Sequence, residues 1–136
     1  MRLKPAFRFA LYAAFAVLFV SGAAWLVADR LKESSELAQE AAADLLMVHG
    51  GAAMVALLLL GALVPLHVQR GWRAARNRIA GAAMVTFNSV LVVTAFGLYY
   101  AGSETLRPWM SDVHLWVGLA FPLLLLIHVV LGRRSA

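Results

Sequence analysis

Four long apolar runs, separated by short polar stretches, set the pattern of this chain. They cover residues 9–28, 44–67, 79–101 and 113–131. At about 1.5 Å per residue, runs of this length cross a hydrocarbon core of roughly 30 Å as helices. The pattern predicts an all-α fold: a single membrane domain, 1–136, built as a transmembrane four-helix bundle. The first run comes after a basic start, as in a signal peptide. It is longer than an ordinary signal core, and Asp-Arg-Leu-Lys comes next without an Ala-x-Ala cleavage site, so an uncleaved first helix is expected.

The polar stretches refine this. Ser35, followed by Glu36, is an expected N-cap, so the second helix should begin near Glu36, ahead of its apolar part. The second span should end at Pro65 and His67, ahead of the basic loop VQRGWRAARNR. The third span contains Thr86, Asn88, Ser89 and Thr94. Gly102 to Ser111, with Pro108, reads as a loop before the fourth span.

Composition agrees with the pattern. Hydrophobic residues make up 62% of the chain, and the mean hydropathy is +0.79. This is a membrane composition. The net charge of +5 would suit nucleic acid, but the placement of the charges gives a better cause. Nine of the twelve Lys and Arg lie at the N-terminus, in the 68–78 loop and at the C-terminus, and the seven acids lie in or beside the other two loops. The positive-inside rule then predicts an inner (cytoplasmic) membrane protein with both termini in the cytoplasm, and no nucleic-acid partner. The second and fourth helices run parallel in that topology.

The candidate chemistry is histidine. The chain has four, and they fall as two pairs on two spans: His49 and His67 on the second, His114 and His128 on the fourth. His49 and His67 are eighteen residues apart, five whole turns of a straight helix, so both should leave one face, about 27 Å apart in rise. His114 and His128 are fourteen apart, about 40° from a perfect stripe and roughly 21 Å along the axis. Tilt, or a kink at Pro65 or Pro122, must absorb the difference. By depth, His49 pairs with His114 near the outer surface, and His67 with His128 near the inner one.

Ionisable residues inside spans are costly and mark function. Two imidazoles from facing helices are suited to be the axial ligands of b-type haem iron, the macrocycle supplying the other four nitrogens. The absence of cysteine excludes disulfides, iron–sulfur ligation, zinc-thiolate sites and CxxCH haem attachment, but not b haem. Two haem b groups are therefore expected, the outer iron on His49 and His114 and the inner on His67 and His128, some 20–27 Å apart by helix rise. A porphyrin lies against the helix beside its ligand, where small residues make room. Ala53, Gly71, Gly118 and Gly132 each come four residues after a histidine, and Gly50 and Gly51 widen the space at His49. Arg70, Arg73, Arg76 and Arg133 are candidates for inner propionates, and Arg107 for outer ones. Phe87 and Phe96 are candidates for space-filling near the haems, with core packing the commoner role.

These features resemble a small bacterial di-haem membrane cytochrome b. His114-x13-His128 resembles the ligand helix of the cytochrome b subunits of nickel–iron hydrogenase and formate dehydrogenase, and of superoxide oxidase. In those proteins the other two ligands come from the first and second helices. Here the first helix has none, and both lie on the second, as in respiratory cytochrome b, with x17 where that family has x13. The resemblance implies transmembrane electron transfer. Quinone in the bilayer is then the expected partner, with a periplasmic c-type cytochrome or other redox protein docking on the acidic outer loops. A free-standing quinone-linked oxidoreductase and the membrane subunit of one both accommodate it. In that setting Asp44, Glu104 and Asp112 are candidates to relay protons from a quinol. The alternative is a metal-handling membrane protein, with Met47 and His49 beside Met110 and His114 as an outer copper site, which Met54 and Met84 extend inward.

Overall fold

The computed structural model describes residues 3–75 and 77–134, all of whose regular elements are helical. Helix α1 spans Pro5–Leu31 and α2 Glu36–Leu63; a π-helical turn, Val64–Val68, leads into α3, Gln69–Arg73. Helices α4, Arg78–Tyr100, and α5, Leu106–Arg134, complete the chain. Four helices are long and apolar enough to cross a membrane. Only 6–17% of the residues in their most apolar stretches are buried inside the protein. Side chains such as Phe9, Leu58 and Ile79 stand largely exposed. Exposure on this scale is unfavourable in water and natural in lipid.

The helix ends obey local chemistry. Pro5 opens α1 at a position whose N–H needs no helical partner. Ser35 caps α2, its Oγ accepting from the Ala38 N–H at 3.3 Å, as expected from sequence. At the exposed end of α1, Lys32 donates to Asp29 at 2.7 Å, and this carboxylate raises the lysine pKa.

Two boundaries differ from the sequence expectation. Helix α5 begins at Leu106, inside the expected loop. Ser103 initiates it: its Oγ accepts from the Leu106 N–H at 3.2 Å, and its carbonyl from the Arg107 N–H at 3.1 Å. Pro108 then lies in the first turn, where a missing N–H costs nothing. The second span also continues past Pro65 to Arg73, as one helical run of 38 residues. The π turn accommodates the proline, and the Gln69 N–H closes it onto the Val64 carbonyl.

The chain divides after Gln69 into two compact units. In the first, α1 packs antiparallel on α2. The buried α1 positions Ala14, Ser21 and Ala28 recur every seven residues, as do Ala42, His49 and Ala56 on α2. Contact between Ser21 and His49 brings Ala28 level with Ala42, and Ala14 with Ala56. A seven-residue repeat keeps a seam between two helices in register, and small residues let the backbones approach.

In the second unit α4 packs antiparallel on α5. The register is traced by Asn77, which donates to the Leu131 carbonyl at 3.0 Å, and by Thr94 against His114. One turn further along, Met110 fills the notch left by Gly97. The turn before α4 holds Ala75 and Asn77 in left-handed conformation, φ 56° and 49°. Arg78 locks it, donating from Nε and Nη2 to the Trp72 carbonyl with its cation 5.3 Å from the centre of the Trp72 ring. A Gly97→Leu chain should lose about 1–3 kcal/mol of stability through overpacking against Met110. Met110→Ala in the same chain should recover most of it, as read from denaturant unfolding in detergent.

Candidate functional site

All four histidines are half-buried. In the first unit, His49 of α2 meets Ser21 in the middle of α1, Nδ1 to Oγ at 3.1 Å. Ser21 is 4% exposed. Its hydroxyl donates to the Val17 carbonyl, one turn back on its own helix, at 2.6 Å. The adjacent Gly22 carries the edge of the imidazole. A Cβ built there would stand 3.0 Å from His49 Cε1 and 3.3 Å from Nδ1. Only the absence of a side chain admits the ring at this distance.

The second unit repeats the arrangement. His114 of α5 meets Thr94 of α4, Nδ1 to Oγ1 at 2.9 Å. Thr94 is 6% exposed, and its hydroxyl donates to the Val90 carbonyl at 2.7 Å. Serine and threonine both satisfy their own proton in this way within an apolar helix. Each hairpin therefore presents a hydroxyl oxygen to an imidazole across a helix–helix seam.

Backbone also approaches two of the rings, that of Leu18 on α1 at His49 and that of Ala80 on α4 at His128. His67 lies inside the π turn. A π turn inserts one residue into the helix, rotating the next helical segment by up to about 100° and shortening the run by about 1.5 Å. The single face expected for His49 and His67 assumed a straight α-helix, and the π turn corrects it. It also removes part of the mismatch in rise between the two histidine pairs.

The small residues at the fixed offset of four do not share one environment. A Cβ at Gly118 would meet only Leu91, at 3.8 Å, an ordinary contact within the second hairpin. Gly118 also lies four residues before Pro122, as Gly61 does before Pro65, where the proline leaves a carbonyl without its helical donor. Gly71 and Gly132 border open space, and Ala53 is half-buried. Gly51 borders an apolar groove between α1 and α2, lined with Ala10, Ala13, Val17, Ala52 and Val55. Arg70, Arg73, Arg107 and Arg133 are exposed; Arg76 and Arg2 lie outside the described residues. Phe96 is 65% exposed and stacks on Tyr100 at 4.6 Å, so it is not a core residue of the chain.

The donor set has a chemical consequence. Among the described residues no three His, Cys, Asp or Glu side chains converge. A metal bound by one of these histidines would need further ligands from elsewhere. Of the methionines named for the copper alternative, Met110 lies against Gly97, and Met47 and Met54 stand 74% and 70% exposed. Compared with known proteins, the chain matches no family model, no curated protein and no solved structure. The fold and these residues alone define the class: an all-helical protein with four helices long and apolar enough to cross a membrane.

Proposed function

We propose that this chain is an integral membrane electron carrier holding two b-type haems, each by two histidines, and exchanging electrons with the quinone pool and a second redox protein. The observation that carries the reading is the imidazole–hydroxyl pair built once in each hairpin, Ser21 with His49 and Thr94 with His114. Any imidazole in an apolar seam needs a polar partner; what supports the reading is that each hairpin holds a histidine by Nδ1 on a buried hydroxyl, the same device in both. In metal-ligating histidines the second nitrogen is almost always held by an outer partner.

The pairing rests on topology and helix rise. His49 and His114 would serve the outer haem, and His67 and His128 the inner one, in the inner membrane with both termini in the cytoplasm. Haem iron supplies the one-electron chemistry, and the chain supplies the axial nitrogens and a dry apolar setting that tunes the potential. Arg70, Arg73, Arg107 and Arg133 would meet propionates at the two surfaces. The exposed acids of the outer loops would attract a basic redox partner such as a c-type cytochrome.

The test is a haem count on the purified chain. Two haems per chain, extracted without covalent retention and with a b-type pyridine haemochrome spectrum, are expected. A chain made with haem available that contains none, or that keeps it through denaturing electrophoresis, ends the reading.

A further inference from the structure

We propose that Ser21 and Thr94 are positioning residues that fix the tautomer of His49 and His114, placing the proton on Nδ1 and the lone pair on Nε2. The argument is a count of protons. A hydroxyl has one proton to give, and a backbone carbonyl can only accept. The Ser21 proton is committed to Val17 at 2.6 Å, and the Thr94 proton to Val90 at 2.7 Å. Each hydroxyl oxygen therefore faces its imidazole as an acceptor, at 3.1 Å from His49 Nδ1 and 2.9 Å from His114 Nδ1. With the hydroxyl proton held by the backbone, this hydrogen bond is made when Nδ1 carries the proton; the alternative costs the hydroxyl its own carbonyl, Val17 or Leu18 for Ser21 and Val90 or Leu91 for Thr94. The Leu18 backbone beside His49 is likewise an acceptor for a ring N–H. A neutral ring protonated on Nδ1 bears its metal-binding lone pair on Nε2.

Both hydroxyls are buried in apolar seams, where a ring of the other tautomer would set two lone pairs against each other or draw the hydroxyl off its carbonyl. Breaking a buried hydrogen bond is costly, so one tautomer should dominate. The carbonyl–hydroxyl–imidazole chain also polarises the ring and raises the basicity of Nε2. A more basic axial ligand favours the ferric state. That last consequence rests on the proposed haem function; the tautomer itself does not.

The experiment has two arms. In the first, the haem-free full-length chain is labelled with ¹⁵N at histidine in detergent micelles, and its tautomers are read from the ring nitrogen shifts. His49 and His114 should each be a single Nδ1–H form. Ser21→Ala should turn His49 alone into a mixture, and Thr94→Val His114 alone. Ser21→Thr and Thr94→Ser should retain the single form. An Nε2–H form at either residue in the unaltered chain, or no change in the variants, overturns the proposal. In the second arm, the haem-loaded variants are titrated. Ser21→Ala and Thr94→Val should raise the reduction potential of a b-type component, and the conservative variants should leave it in place. Haem-loaded variants with both potentials unmoved overturn the ligand-tuning role. A chain that takes up no haem yet gives the expected tautomers defeats the haem function and leaves the positioning role standing.

Discussion

A chain carrying His49→Ala should lose one of two b-type spectral components completely, and His114→Ala should lose the same one. His67→Ala and His128→Ala should each remove the other. Removing an axial imidazole opens a coordination position and leaves the non-covalent cofactor on one protein ligand. Altering an outer partner alone typically costs 10–100-fold in metal affinity, so loss of a direct ligand should exceed that. The hairpin should survive the change. His49 stands between Ala42 and Ala56 in a seam of small residues, and alanine continues the repeat. Loss of signal with helicity and monodispersity retained is therefore the expected result. The reading fails if His49→Ala and His67→Ala remove one component between them while His114→Ala removes another, because the ligands would then pair along a helix instead of by depth.

Much of the architecture was legible in sequence because hydropathy over some twenty residues is a strong signal that short-range detail rarely overrides. The four spans and the Ser35 cap are direct consequences of sequence pattern. Prolines were the weak point. Pro65 and Pro108 read as helix boundaries, yet one sits in a π turn and the other in a first turn. Both places relieve the missing N–H, and neither can be told from a helix end without knowing where the neighbouring donors go. The histidines were legible by their rarity in apolar runs. Their partners were not. Thr94 was visible only as one of several polar residues in its span, and Ser21 carried no signal alone. The seven-residue steps Ala14, Ser21, Ala28 and Ala42, His49, Ala56 are both in the sequence. What joins them is the hairpin register, which depends on how residues 32–35 turn the chain. Sequence spacing points to space four residues along each histidine's own helix, whereas the tightest approach is across the seam, at Gly22.

Gly22→Leu should therefore remove the outer haem component and weaken the first hairpin, although Gly22 has no side chain with which to bind anything. The Cβ alone would stand 3.0 Å from His49 Cε1, a separation that real Cβ atoms rarely show. Alanine requires the ring to give by a few tenths of an ångström. Leucine adds three more carbons beyond a Cβ that already has all three of its nearest contacts with the imidazole. The ring must leave, the 3.1 Å bond to Ser21 breaks, and a buried nitrogen loses its partner at about 1–3 kcal/mol beyond a similar overpacking cost. Gly118→Ala is the control: its Cβ meets Leu91 at 3.8 Å, ordinary contact, so stability and both components should stay. A double variant, Gly22→Leu with His49→Ala, removes the ring and makes room for the leucine. It should regain most of the hairpin stability in denaturant unfolding while the outer component stays absent. The two measurements, unfolding and haem-to-protein ratio, then separate a clash with His49 from general damage to α1. If Gly22→Leu keeps both components and unfolds as the unaltered chain does, His49 does not lie on Gly22 in the membrane, and the site as built from Ser21, Gly22 and His49 is wrong.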